Sequence, residues 1–235
     1  MKRLYIIITL LLLSTTLSLA QEVPGRYSVS VMGMYGWNET WQSHGGIDVV
    51  GYMPFSKHFE ATAAAEIHNP STFAVSATAR PKFQLPVGEI YIDGSVHYRA
   101  HASYGIADFN LAASVGYRMD YVSVQVGMTS HFTFDLDRKD AAKSENITEP
   151  LNLLYRVAFN IRPASSRWNA GGGIANYTDF EYERTWEPMY FLDGHFDVND
   201  NLTVLARFDL KPAGMFHQVA EFWGLAFRAG VKYSF

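Results

Sequence analysis

From Phe59 the chain alternates with a period of two: Phe59, Ala61, Ala63, Ala65 and Ile67 share one parity, while Glu60, Thr62, Ala64 and Glu66 share the other. A strand puts successive side chains on opposite faces, whereas a helix would place Glu60 and Ala64 on one face. The same split recurs at Leu202, Val204, Ala206, Phe208 and Leu210 against Thr203, Leu205, Arg207, Asp209 and Lys211, and along Leu151–Arg162. Full charges fall repeatedly on the polar parity. Segments of this kind begin near Tyr27, Ile47, Phe59, Phe73, Ile90, Phe109, Val122, Leu151, Trp168, Met189, Leu202 and Leu225. Each approaches the about 9–11 residues that carry a tilted strand across a bilayer. The weakest runs from Trp168 to Tyr177, where Gly171, Gly172 and Gly173 dilute the pattern and mark a bulge or bend. Twelve strands are therefore expected, or ten if this segment fails.

The joins test that count independently. Starting after the first strand they alternate long and short: Trp37–Gly45 then Ser56–His58, His68–Thr72 then Gln84–Glu89, Ala102–Asp108 then Asp120–Tyr121, Thr133–Pro150 then Pro163–Arg167, Thr178–Pro188 then Asn199–Asn201, and finally Lys211–Phe222. Such asymmetry belongs to barrels with short periplasmic turns and long outer loops. The fold class expected is all-β, a transmembrane antiparallel up-and-down β-barrel. A soluble barrel or sandwich shares the period, but it turns its apolar face inward. Aromatics of the apolar parity at strand ends (Tyr27 and Tyr35, Phe73 and Phe83, Phe109 and Tyr117, Phe227 and Tyr233) and the near absence of charge on that parity favour the membrane form.

Lys2 and Arg3 precede an apolar run from Leu4 to Leu13, and Ser18 and Ala20 stand at −3 and −1 of a cut before Gln21. This reads as a secretory signal peptide over residues 1–20, followed by the barrel over 21–235. At about 1.5 Å per residue the run covers only about half a bilayer as a helix. Charged residues make up 18% of the chain, below the roughly 25% of an average soluble domain, and aromatics reach 15%. A net charge of −4 gives no footprint for nucleic acid, and the absence of cysteine removes disulfides and thiolate metal sites.

The chain ends on Phe235, preceded on the same parity by Tyr233, Val231, Ala229 and Phe227, with Lys232 and Arg228 on the other. This terminus resembles the aromatic assembly signal of Gram-negative outer-membrane proteins. The resemblance covers the class over the whole mature chain and names no subfamily. It implies a bacterial outer-membrane location, with outer-membrane lipid, lipopolysaccharide and the barrel-assembly machinery as partners.

Function must then come from the polar parity. That parity carries Arg80, Lys82, Arg99, Arg118, Arg156, Arg162, Arg207, Lys211, Arg228 and Lys232, against Asp48, Glu60, Glu66, Asp93, Asp193, Asp197 and Asp209. Cations lead, ten to seven, so the lumen is expected to be cation-lined and to favour small anionic solutes weakly; Arg156, Arg207 and Arg228 fall near mid-strand and are expected at similar depth. The architecture resembles the twelve-stranded monomeric porins for acidic oligosaccharides, whose pores are lined with Arg and Lys. The alternative is a barrel plugged by cross-strand pairing whose loops, Thr133–Pro150 and Thr178–Pro188, serve display or adhesion.

Enzymatic and metal chemistry find weaker footing. His101 and Ser103, with Asp108 and Asn110 on the next strand, form the one His-x-Ser constellation of the kind used by lipid-acting outer-membrane hydrolases. Yet His101 shares the inward parity with Asp93, His97 and Arg99, unless a bulge near Arg99 reverses it. The run Asp135–Asp140 begins like a calcium loop but has Asp140 where the turn needs Gly and Asn146 where it needs Glu. His195 between Asp193 and Asp197 fits a hydrogen-bonded triad better than a metal site, and no cofactor is expected.

Deleting Phe235 should leave a secreted chain that accumulates in the periplasm and shows no heat-modifiable mobility; normal insertion would remove the terminus from the assembly signal.

Overall fold

The computed structural model describes residues 25–38, 43–68, 72–101, 105–135, 147–163, 166–180, 188–211 and 223–235. Twelve strands follow one another: β1 Ser28–Asn38, β2 Ser43–Ser56, β3 Phe59–His68, β4 Thr72–Gln84, β5 Glu89–His101, β6 Ile106–Arg118, β7 Val122–Asp135, β8 Ile147–Ile161, β9 Trp168–Ala175, β10 Met189–Asp197, β11 Leu202–Leu210 and β12 Trp223–Ser234. Each pairs antiparallel with its sequence neighbours, and β1 pairs with β12 from Ser28↔Ser234 to Trp37↔Leu225, closing the barrel.

The two faces of the wall follow the sequence parity. Outward positions expose Val115, Val126, Leu153, Val157, Val204 and Val231, apolar side chains that water alone would leave unfavourably solvated. Aromatics gather at both rims. Trp168 meets Phe196 at a tilt with ring centroids 4.7 Å apart and Tyr233 meets Phe235 edge to face at 5.2 Å near the short turns; Tyr35 meets Trp37 at 4.9 Å near the long connections. Amphipathic rings at two levels are what a headgroup boundary selects.

Several strands run further than the hydrophobic pattern shows. β5 begins at Glu89, β6 at Ile106, β2 at Ser43 and β8 at Ile147, each taking in polar residues expected in the joins. The reason is local: a charged residue does not interrupt a ladder when its side chain points into a polar interior. Glu89, for example, pairs with Gln84 and Arg118 in register, and Gln84 Nε2 donates to its Oε2 at 2.7 Å. The Thr133–Pro150 join shrinks accordingly, with Thr133↔Ile147 still in register. Its centre, residues 136–146, lies outside the described residues, as do residues 1–20, Ser103, residues 181–187 and residues 212–222.

β9 is a strand, so the count is twelve, and its glycines mark neither bulge nor break. Gly171, Gly172 and Gly173 pair continuously with β8 and with β10. Gly171 and Gly173 leave the middle of the inner face of β9 bare, and Phe191 of β10 lies over Gly173, where a Cβ would press on its ring and collide with the Val157 carbonyl. Tyr91 of β5 likewise occupies the space that a side chain at Gly116 of β6 would need. Both interior aromatics thus rest on neighbouring backbone.

Replacing Val126, the fifth residue of β7 and outward-facing, with Arg should cost about 2–4 kcal/mol in lipid, read by denaturant titration of tryptophan fluorescence in bilayers. The same change at inward-facing Ser123 should cost far less; equal losses would contradict the assignment of faces.

Candidate functional site: the barrel interior

The inner wall carries two dense charge networks. In the first, Arg228 of β12 is 3% exposed: its Nε donates to Asp48 Oδ2 of β2 at 2.8 Å and its NH1 to Asp209 Oδ2 of β11, with Glu66 of β3 3.8 Å from NH2. Glu66 also faces Arg99 NH2 of β5 at 3.5 Å, and Asp209 accepts from Arg207 Nε at 2.8 Å. In the second, Arg80 of β4 holds Asp93 of β5 in a two-point contact (2.6 and 2.7 Å) and Glu60 of β3 at 3.1 Å. Lys82 Nζ and Tyr52 OH donate to the other oxygen of Glu60 at 2.5 and 2.7 Å. Gln125 of β7 donates to Asp93 at 2.7 Å and to Ser114 at 2.6 Å while accepting from Tyr91 OH at 3.2 Å. Planar guanidinium forks meeting carboxylates in this way satisfy charges that the wall withdraws from water.

Arg156, Arg207 and Arg228 are not equivalent members of a ring. Arg228 sits inside the carboxylate cage. Arg207 is held by Asp209 and lies 4.7 Å over the Phe191 ring. Arg156 lies 4.8 Å from the same ring and has no ion-pair partner among the described residues. A guanidinium on an aromatic face gains a cation–π contact while keeping its donors available. The charge balance also differs from ten to seven: Glu89, 3.1 Å from Arg118, and Asp108, which accepts from Thr133 Oγ1 at 2.6 Å, both belong to inward-facing strand positions. Among the residues whose side chains are described, nine carboxylates oppose the ten cations, with Arg162 exposed at the short-turn rim beside Asp197 at 3.1 Å. Lys232 of β12 faces inward on the same parity as Arg228.

The other candidate constellations come apart. Pairing through Arg99 is continuous, Arg99↔Ala74 and Arg99↔Asp108, so no bulge reverses β5 and His101 faces the interior, its Nδ1 3.4 Å from Thr72 Oγ1. Asn110 donates to His97 Nδ1 at 3.0 Å. His195 approaches Asp193 at 3.6 Å, but Asp197 turns to Thr203 at 2.8 Å, so the expected triad reduces to a pair. Among the described residues no three His, Asp or Glu side chains converge as metal ligands would.

After β9 the chain turns into the barrel. Asn176 is fully buried and completes the ladder that β9 leaves, its Oδ1 accepting from Tyr155 N at 2.8 Å and its Nδ2 donating to Leu153 O at 2.7 Å. Four residues later Phe180 packs against Ala64 of β3, Ala74 of β4 and Val50 of β2, on the wall opposite β9, and His97 Nε2 donates to the Phe180 carbonyl. Beneath this strap lies a cavity of about 520 Å³, reaching from Tyr177–Asp179 to the β6–β7 turn at Met119–Val122; Arg80, Arg118, Arg156, Asp193, Tyr91 and Phe191 line it. In the sequence Phe180 shows only as an aromatic among acids in the Thr178–Pro188 join, the mark of a contact surface, with nothing to say that it turns inward. Phe191 and Tyr91 did carry an inward signal, as aromatics on the polar parity.

An apolar belt between two aromatic rims, wrapped around a charged interior, defines a transmembrane β-barrel of the outer-membrane type. Solved structures share the fold. A KdgM porin superposes with a TM-score of 0.53 at 11% identity, over 88% of this chain and 99% of that one. A NanC porin gives 0.53 at 10% identity, over 88% and 100%. The translocator domain of the autotransporter NalP from Neisseria meningitidis gives 0.52 at 12% identity, over 97% and 95%. No family model matches the chain. A curated protein, the UPF0173 metal-dependent hydrolase of Paracoccus denitrificans (strain Pd 1222), is 26% identical over 130 residues, and the chain spans about half its length.

Changing Arg228 to Ser should destabilise the barrel by about 3–5 kcal/mol, because it strands buried carboxylates, whereas Arg156→Ser should leave the denaturation midpoint nearly unmoved. Equal effects would contradict the division into caged and free guanidinium groups.

Proposed function

We propose that this chain is an outer-membrane channel for small solutes, exported by the signal at residues 1–20 and inserted by the assembly machinery through Phe227, Val231, Tyr233 and Phe235. It stands in a lipopolysaccharide-bearing membrane and performs no chemistry on what it passes. Its weak preference for anions resides in Arg156 and, secondarily, in Arg207, rather than in a general excess of positive charge. The observation that carries this reading is the Arg156 guanidinium, displayed on Phe191 at the edge of the cavity without an ion-pair partner among the described residues. An uncompensated charge at a narrow, partly desolvated wall raises the local concentration of the opposite ion, while a paired charge is largely cancelled. The KdgM porin structure in complex with disordered oligogalacturonate supports anionic solutes as the class to test.

A second reading, the plugged display scaffold, draws on the two ion-pair networks and the strap across the interior. Planar-bilayer recording separates the two. The wild-type barrel should conduct with anions favoured, and Arg156→Ser should lower the anion-to-cation permeability ratio by about twofold or more. Conductance with unchanged selectivity would overturn the role of Arg156, and absence of conductance would favour the scaffold.

A further inference from the structure

We propose that the cavity at Arg156 is a binding site for short zwitterionic peptides, which present their C-terminal carboxylate to Arg156 and their N-terminal ammonium to Asp193. The inference rests on the reading of Arg156 as a displayed cation, and it narrows the solute from an anion to a carboxylate that also carries a positive end.

The charges lining the cavity divide into those already engaged and those on offer. Arg80 and Asp93 hold each other through two hydrogen bonds, and Arg118 lies 3.1 Å from Glu89. Arg156 and Asp193 stand outside both ion-pair networks, each half-buried in the cavity wall. Among the described residues the ion-pair contact of Asp193 is His195 Nε2 at 3.6 Å, which counts as charged only when the imidazole is protonated. Asp120 and Asp179, exposed at the mouth and in the roof, add further negative charge to the lining. A carboxylate that brings its own ammonium therefore matches this lining better than a carboxylate alone, because like charges at a partly desolvated wall repel more strongly than in bulk water.

Register sets the span between the two ends. Arg156 pairs with Ala175 of β9 and Asp193 with Gly171, so the two stand four residues apart along β9 with Gly173 midway. The Asp193 carboxylate lies over Gly171, its oxygens 3.1 and 3.2 Å from where a Cβ would be, and the Phe191 ring lies over Gly173 with the Arg156 guanidinium 4.8 Å from its centroid. Same-face positions on one strand are about 6.6 Å apart, which puts the opposite charges on the order of 10 Å from each other. An extended chain covers at most about 3.3–3.6 Å per residue, so one amino acid cannot touch both charges and three residues can. The floor between them is low, Ala158 of β8 facing Gly173 and Asn160 facing Gly171. Asn160 and Ser123 line the same space with an amide and a hydroxyl, which suit the N–H and C=O groups of a peptide. A volume of about 520 Å³ falls within the roughly 300–1,000 Å³ of small-molecule sites.

Trialanine, its N-acetyl form and its C-terminal amide test the site by isothermal titration calorimetry on the refolded, heat-modifiable barrel. Trialanine should bind the wild type, and either cap should weaken binding by about tenfold or more. In Arg156→Gln the amide cap should cost nothing further, while acetylation still does; in Asp193→Asn the pattern should reverse. Free alanine should bind far more weakly than trialanine. Caps that cost as much in the matching variant as in the wild type would overturn the assignment of ends, equal binding of alanine would overturn the span, and absence of trialanine binding would overturn the site altogether. Planar-bilayer recording on the same preparation separates this from the channel reading: the crosswise pattern in a barrel without conductance would keep the site and sink the channel, and conductance without trialanine binding would do the reverse.

Discussion

A sheet edge in hydrocarbon finds no hydrogen-bond partner, and the rest of this molecule follows from the closure that removes it. Because β1 must meet β12, every strand is paired on both sides, and each presents one side chain to lipid for every one it presents to the interior. The apolar parity is thereby committed to the bilayer. Charge carried by the strands within the bilayer has to go inside, where a wall of twelve strands brings carboxylates and guanidinium groups close enough to neutralise one another. The interior networks are thus a consequence of closure, and only what escapes them is left for a solute.

That ordering explains what the sequence reveals. Faces, strand count and the position of the short turns are all consequences of period two, and Phe59–Ile67 or Leu202–Leu210 disclose them without any three-dimensional information. Strand ends are harder, since Glu89 and Asp108 look like loop residues until one knows that a polar interior receives them. The fate of individual arginines is not legible at all. Arg156 and Arg228 occupy equivalent parities, yet one is displayed on Phe191 and the other enclosed by Asp48, Asp209 and Glu66, because partners arrive from strands far apart in sequence. The inward strap is invisible for the same reason: the alanines that receive Phe180 belong to β3 and β4, more than a hundred residues earlier.

The triglycine segment shows how an apparent weakness in the pattern can be a structural device. Read as a sequence, Gly171–Gly173 dilutes a strand. In the barrel it clears the floor of β9, so that Phe191 can reach from β10 toward β8 and meet Arg156. Local propensity was given up for a lateral contact between strands that do not touch by backbone.

Arg228 adds a consequence for the order of events in assembly. It stands on the last strand and grips Asp48, 180 residues earlier. Until the ends of the chain meet, Asp48 lacks the guanidinium that the closed barrel sets beside it, although Asp209 already meets that group across the β11–β12 pair. The leading edge of a nascent, open sheet entering lipid therefore carries a negative seam at Asp48, which resists desolvation and draws the final strand toward it. The step that seals the backbone also neutralises the seam, so zipping up and dehydration become one cooperative event of high contact order, completed only when the last strand has been delivered.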